Sequence, residues 1–465
     1  MKGTLPFIPR LHRLTTRILA LGAALALHTA GALEKSPPPA THTNPRFDPQ
    51  KSYDLGSLLE LGLALNPSTR AAYARAEAAQ ATIGQERSPY YPQITAGFRT
   101  GWDQWYTPAT AAPDYFTRRQ NTAVLALEYL LLDFGRRASD VARAIALFDA
   151  AGLLFERKVQ EVVFEIQSRY FAHESALWKE QAAAAMVEFA RTAMETIDLE
   201  SRNGLAAAPD VLRARKELLD SQYELENARA LARNTLGELL VATGLPADTP
   251  LRVAKNELPA NTDSLRSSAA TLIQAAFASR PDLAARAADV RAAEASIDRA
   301  AADFLPKVTL EGNYAYSAFQ YDSRTGPQQR DNVGGVNGFA GFLNVEWDIF
   351  DGFERVENLR KRRAEELAAR EELQSLRLAA SRDVWTAYHD SLSASRRVEF
   401  AEGYVASANE NFEAVRTAYT SGLAPVTELS DSAAQLALAR SARADAVADY
   451  STTLAALALA IGSVR

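Results

Sequence analysis

The stretch Glu128-Tyr129-Leu130-Leu131-Leu132-Asp133-Phe134-Gly135 returns in the second half of the chain as Glu346-Trp347-Asp348-Ile349-Phe350-Asp351-Gly352-Phe353. Each copy stands where one hydrophobic period gives way to another. Before it the chain alternates with period two, the pattern of a half-covered strand; after it comes a long Ala-, Leu-, Glu- and Arg-rich run, the pattern of a helix. Residues 137–201 hold one glycine, Gly152, and no proline, and residues 355–420 hold only Gly403. At 1.5 Å per residue, such runs predict helices of roughly 100 Å, far beyond the usual globular length.

The rest of the chain repeats as well. Ala64-Leu65-Asn66-Pro67 precedes a helical stretch that ends at Tyr90-Tyr91-Pro92, and Ser279-Arg280-Pro281 precedes one that ends at Phe304-Leu305-Pro306. The spacing from Pro67 to Pro92 equals that from Pro281 to Pro306. Asn203-Gly204-Leu205 matches Ser421-Gly422-Leu423, and each half closes at the same distance past its tip glycine, at Thr243-Gly244 or Ile461-Gly462. Self-similarity at a nearly constant offset marks a tandem duplication. The predicted organisation is a signal over 1–32, an extension over 33–52, a first repeat over 53–264 and a second over 265–465. The first repeat reads as a helix over about 53–88, strands at about 93–102 and 122–132, a long helix 137–201, a helix 209–243 and a linker 244–264. The second reads as a helix 268–304, strands 307–318 and 339–349, a long helix 355–420 and a helix 428–461. Two short helices end to end match one long helix, so a rod with an irregular waist is expected.

The four strands are two-faced. Ile94, Ala96, Phe98, Thr100 and Trp102 oppose Thr95, Gly97, Arg99 and Gly101; Ala123, Leu125, Leu127 and Tyr129 oppose Thr122, Ala126 and Glu128. Val308, Leu310, Gly312, Tyr314 and Tyr316 oppose Thr309, Glu311, Asn313 and Ser317; Leu343, Val345, Trp347 and Ile349 oppose Asn344, Glu346 and Asp348. An apolar, aromatic outside with a polar inside is the pattern of a transmembrane barrel, and Trp102, Trp105, Tyr106, Tyr314, Tyr316 and Trp347 suit its interfacial girdles. Four strands cannot close a barrel, and open edges are not tolerated in lipid. Two copies would give a barrel too narrow for a duct; three give twelve strands, so a homotrimer is expected. Loops at about 103–120 and 320–337 would join the hairpins outside.

Composition narrows the function. Lys2, Arg10, Arg13 and Arg17, the apolar run Ile18–Leu27 and Ala30-Gly31-Ala32 read as a secretory signal, with the mature chain starting at Leu33. Losing those four cations moves the formal charge from −6 to about −10, which argues against nucleic acid as a partner. The sequence has no cysteine, so neither disulfides nor a lipid-modified N-terminal cysteine is expected. After the signal only His42, His173 and His389 remain, widely spaced, and no Gly-x-Ser-x-Gly elbow or phosphate loop occurs. Neither an enzyme nor a bound cofactor or metal is expected. A secreted or surface-attached helical rod without a pore would explain the helices equally well, but not the strands.

This order of elements resembles the TolC or outer-membrane efflux protein family over nearly the whole mature chain. The resemblance implies a mainly α chain with a membrane β-barrel portion: a trimer with a 12-stranded outer-membrane barrel, continued by a long α-helical periplasmic barrel. It also implies outer lipid contact, docking to a periplasmic adaptor, or membrane fusion, protein, and an inner-membrane RND or ABC transporter that supplies the energy for multidrug efflux or type I secretion. Tyr419-Thr420-Ser421-Gly422 followed by Glu428 and Asp431 fits the family's tip pattern, which implies acidic rings at the periplasmic entrance built from Glu428 and Asp431, with Tyr419 beside them. Gly204, Leu205, Gly422 and Leu423 become the helical-tip turns that meet the adaptor, and Asp210 and Arg213 the polar residues of the first tip. Ala424 stands where the family often has a basic residue, so a locking network built on that position is not expected.

Overall fold

The structure, a computed structural model, describes residues 47–107, 114–204, 206–254, 267–323 and 332–463. The signal 1–32, most of the extension 33–52, Leu205 and the second half of the 244–264 linker lie outside the described residues. The chain divides into two compact units, Met1–Asp48 and Pro49–Arg465, and every element named here belongs to the second.

Strands β2 (Gln93–Thr107) and β3 (Asp114–Leu132) form one antiparallel hairpin, and β5 (Lys307–Ser323) and β6 (Asn332–Glu346) another; β3 pairs with β5 in a single sheet of order β2-β3-β5-β6. The register carries each strand's alternation across the sheet. Ala96, Leu125, Tyr314 and Phe339 form one row, and Ile94, Leu127, Gly312 and Gly341 another, on the apolar face. Arg99, Thr122, Ser317 and Val336 form a row on the opposite face, where Thr122 Oγ1 and Ser317 Oγ lie 3.0 Å apart and Gln120 Nε2 donates to Thr122 Oγ1 at 2.8 Å. Cross-strand pairs of this kind fix the register, because a one-residue slip would turn the apolar set inward. Phe339 on β6 is 90% exposed, and Leu343 on the same strand and Ile94, Phe98 and Trp102 on β2 are exposed on the same face, which no described part of this chain covers.

The strands run farther than the alternation predicts. They span 15, 19, 17 and 15 residues and continue through most of the expected loops 103–120 and 320–337. Polar side chains that read as loop are paired within the ladder: the Arg118 guanidinium donates to both Asp103 carboxylate oxygens, at 2.7 and 3.1 Å. At the other end β6 stops at Glu346, so Trp347 and Ile349, read as strand, lie beyond it.

The sheet passes into the helices through the duplicated motif. The Asp133 carboxylate accepts hydrogen bonds from the Arg137 backbone N–H at 2.8 Å and from Arg137 Nε at 2.9 Å; Asp351 does the same for Arg355, at 3.1 and 2.6 Å. The intervening residues turn left-handed, Phe134 and Gly135 in one copy and Gly352 and Phe353 in the other. A phenylalanine at positive φ is strained. Arg137 holds the turn from below by donating to Leu130 O and Pro89 O at 2.7 and 3.0 Å.

The two long helices, α3 (Arg136–Arg202) and α7 (Glu354–Thr420), have 67 residues each, about 100 Å. α4 (Ala208–Ala242) and α8 (Val426–Ile461) return from their tips. The helices read as single pieces over 53–88 and 268–304 are each broken: α1 (Leu55–Leu65) from α2 (Pro67–Arg87), and α5 (Ala269–Ser279) from α6 (Pro281–Ala302). The reason is local. Pro67 and Pro281 open the second piece, and the residue before a proline is pushed out of helical space: Asn66 has φ −62°, ψ 122° and Arg280 φ −70°, ψ 119°. The break puts a polar side chain against the end of a returning helix. Asn66 Nδ2 donates to Ala242 O at 2.8 Å, and Arg280 Nη1 to Ala460 O at 3.4 Å. Here also β1 (Ser52–Tyr53) pairs in parallel with β4 (Arg252–Val253), a two-residue ladder too short to leave a periodic signal.

The helices form a layer. Below the breaks the order is α4-α3-α8-α7; towards the sheet it is α2-α3-α6-α7. Alanines dominate the contacts, as where Ala150 meets Ala285 and Ala288, and let the backbones approach closely. α8 is long and apolar enough to cross a bilayer by length and composition, but it packs along both α3 and α7. Within the layer His173 is buried and its Nδ1 lies 3.1 Å from Thr235 Oγ1, whose own proton goes to the backbone of α4; the imidazole therefore donates. Burial holds the His173 pKa below its ordinary value. The unfolded chain then takes up a proton that the folded chain refuses, so stability is full above the unfolded value near 6.5 and falls as pH drops through it towards the lowered folded value. His173→Gln should flatten that decline; an unchanged slope in unfolding midpoints between pH 7 and pH 5 would assign it to other groups.

Candidate functional site at the helical tips

Each tip is a helical hairpin closed by a left-handed glycine, Gly204 at φ 73° and Gly422 at φ 74°. At the second tip the Gly422 N–H donates to Tyr419 O at 2.9 Å and the Leu423 N–H to Ala418 O at 2.8 Å, the paired bonds that satisfy the last carbonyls of α7. Leu423 is 83% exposed. At the first tip Asn203 and Gly204 donate back into α3, and the Asp210 carboxylate accepts from the Ala207 N–H at 3.3 Å, which secures the start of α4. A Cβ on either tip glycine would meet nothing within 4 Å, so only backbone conformation requires glycine there.

The two tips are neighbours. Tyr419 is half-buried; burial, with the charge of Glu200 at the end of α3, pushes its phenol pKa up. A cleft of about 60 Å³ opens between the hairpins, lined among others by Ile197 of α3, Asp210, Arg213 and Glu217 of α4, and Thr427 and Asp431 of α8. The fold thus brings Asp210 and Arg213 of one repeat beside Asp431 of the other. Glu428 and Tyr419 do not line that cleft; Glu428 is on the first turn of α8. Arg213, Glu428 and Asp431 form no ion pair or side-chain hydrogen bond with any described residue. Arg213 lines the cleft from the first repeat, and Asp431 lines it from the second. Sequence reasoning placed Arg213 on the first tip but had no signal for this meeting, because Arg213 and Asp431 stand in different repeats, far apart along the chain. Among the described residues no group of His, Asp and Glu is arranged to hold a metal ion.

The profile of the family described as outer membrane efflux protein matches residues 58–245 and 272–463, one stretch in each repeat. The chain belongs to the outer membrane efflux protein family. Among relatives it is similar to Protein CyaE of Bordetella pertussis, 28% identical over 405 residues that cover 84% of this chain and 79% of that one. Among solved structures it resembles the CmeC outer membrane channel of Campylobacter jejuni, with a TM-score of 0.74, 17% identity and coverage of 88% of this chain and 85% of that one. It also resembles the open state of the MtrE outer membrane channel of Neisseria gonorrhoeae, with a TM-score of 0.66, 19% identity and coverage of 88% of both chains. The fold is therefore that of TolC-like outer-membrane channels, and this member of the efflux family is an outer-membrane export channel.

Proposed function

We propose that three copies form a passive exit duct that receives its cargo from a periplasmic adaptor and an inner-membrane transporter of the RND or ABC class. Residues 1–32 direct the chain out of the cytoplasm, and the protein itself performs no chemistry on what it conducts. The observation that carries this reading is the sheet: four strands with one apolar face and one polar face, and with β2 and β6 as its edges among the described residues. Open edges are too costly in lipid, and β6 of one copy can continue antiparallel into β2 of the next until the barrel closes.

At the other end Glu428 and Asp431 stand three positions apart on α8, on one helix face, so threefold symmetry stacks them as two acidic rings. Such rings favour cations and resist tight closure unless counter-charged; that Arg213 and Asp431 line one cleft supports Arg213 as the source of that charge. The exposed Leu423, with Leu205 of the first tip, offers the adaptor an apolar foothold. The double variant Glu428→Ala with Asp431→Ala tests the entrance. Reversal potentials in planar bilayers under a salt gradient should show cation preference lowered several-fold, with conductance altered. Selectivity equal to the parent protein would remove both residues from the constriction.

A further inference from the structure

The polar face of the sheet is not polar throughout. On β6 that face carries Val336, Gly338, Ala340 and Phe342 before Asn344 and Glu346 are reached, so the alternation fails along most of the strand. Val336 and Phe342 are exposed. Across the hairpin Ser317 pairs with Val336, Ala315 with Gly338 and Asn313 with Ala340. Ala315 and Gly338 raise little above the sheet, and a hollow of about 370 Å³ lies over them. A Cβ on Gly338 would meet nothing within 4 Å. Phe319 closes one end, with the Arg118 guanidinium 5.2 Å from its ring centre. Pairing of β6 with a further strand would leave the hollow open, because ladders form in the plane of the sheet and these side chains point out of it.

The other end is acidic. Two residues beyond Asn313, about 7 Å along the strand, Glu311 stands directly opposite Glu128 of β3 on the same face. Both are exposed, and neither forms an ion pair or side-chain hydrogen bond with any described residue. Like charges directly opposite each other destabilise a ladder. The basic side chains of this face do not relieve them. Lys307 pairs with Glu346 at 2.9 Å, and Arg118 donates to both oxygens of Asp103. Arg99 stands opposite Thr122, six residues from Glu128 along β3, roughly 20 Å away.

We infer that this hollow is a resting site for amphiphilic cations, molecules that carry a positive charge on an apolar or aromatic body. The body lies over Ala315, Gly338 and Ala340, walled by Val336 and Phe342. The charge reaches Glu311 and Glu128 and relieves their repulsion. An anion of the same shape is repelled by that pair, and a compact hydrated cation gains nothing from the apolar floor. The inference rests on the proposed duct, in which this face lines the water path, and adds a preference among the molecules conducted.

Single channels of the full-length protein in planar bilayers test it, with benzyltriethylammonium as the probe. Added on the side of the barrel, it should lower the conductance in a concentration-dependent way that neither tetramethylammonium nor benzenesulfonate matches. Gly338→Ile fills the hollow, and Glu128→Gln/Glu311→Gln removes the charge; each should weaken the block about tenfold. The glutamine pair also removes a repulsion, so it keeps the test standing if Gly338→Ile fails to assemble. Block that survives both barrel variants but vanishes in Glu428→Ala/Asp431→Ala puts the cation at the helical tips and overturns the hollow. Equal block by benzenesulfonate, or by an uncharged apolar peptide, gives the hollow another occupant and also overturns the inference. Channels that conduct and are never blocked overturn it and leave the duct standing. A silent bilayer overturns both.

Discussion

Gly244→Ala is expected to destabilise the protein by about 2–5 kcal/mol, far more than the same change at the tip glycine Gly204. Gly244 holds φ +82°, and a Cβ there would sit 2.9 Å from Asn66 Cα and from the Leu65 carbonyl carbon and oxygen. The left-handed conformation costs an L-residue roughly 1–2 kcal/mol, and displacing packed backbone adds about 1–3 kcal/mol. Gly204 has a similar φ of +73° but no atom within 4 Å of the would-be Cβ, so only the conformational part applies. The backbone at Gly244 is crowded because the break before Pro67 drives Asn66 into the end of α4. Gly462 repeats the arrangement: its Cβ would sit 2.9 Å from Arg280 Cα. Denaturant unfolding in detergent compares the variants; equal losses at Gly244 and Gly204 would show that the waist yields freely.

Arg280→Ala should cost about 3 kcal/mol, the lower part of the range for breaking a buried ion pair. The Arg280 side chain is 3% exposed and donates to both oxygens of Asp282, at 2.7 and 3.0 Å, and to Asp383 at 3.4 Å. Burial alone would raise the Asp282 pKa, but the hydrogen bonds and charge of Arg280, with Arg157 nearby, hold it below the usual carboxylate value. Removing the guanidinium leaves that carboxylate in a poorly solvated site and takes a donor from the last turn of α8; Asp282 keeps 16% of its surface in water, which limits the loss. The folded chain then binds a proton on Asp282 more readily, so the deficit is full at neutral pH and shrinks as pH falls through the ordinary carboxylate range. Arg280→Lys should recover only part of the stability, since an ammonium cannot grip two oxygens in a fork. Full stability in Arg280→Ala would place the strength of the waist elsewhere.

Most of the architecture was legible because it is written twice. The Glu128–Gly135 motif and its copy marked both sheet-to-helix turns, and alternation marked the two faces of all four strands. What alternation could not mark was where strands end: Asp103 and Arg118 are loop-like in composition, but pairing with each other they extend the ladder. The prolines at 67 and 281 were plain in the sequence, yet the strong helical composition on either side hid the breaks they cause. At the tips each residue was assignable to its own hairpin. The approach of Arg213 to the cleft beside Asp431 was not, because it depends on α3 and α8 packing side by side, and they lie far apart in the chain. The edges of sheet and layer show in a single chain only as exposure.

On the proposed function, three copies of this chain enclose a continuous water-filled path through the outer membrane. Purified full-length protein added to a planar bilayer tests it most directly. Discrete, cation-preferring conductance steps from a particle three protomers in mass are the predicted result. A protein that recovers in the soluble fraction as a monomer and leaves the bilayer silent would contradict the duct and favour a secreted helical rod.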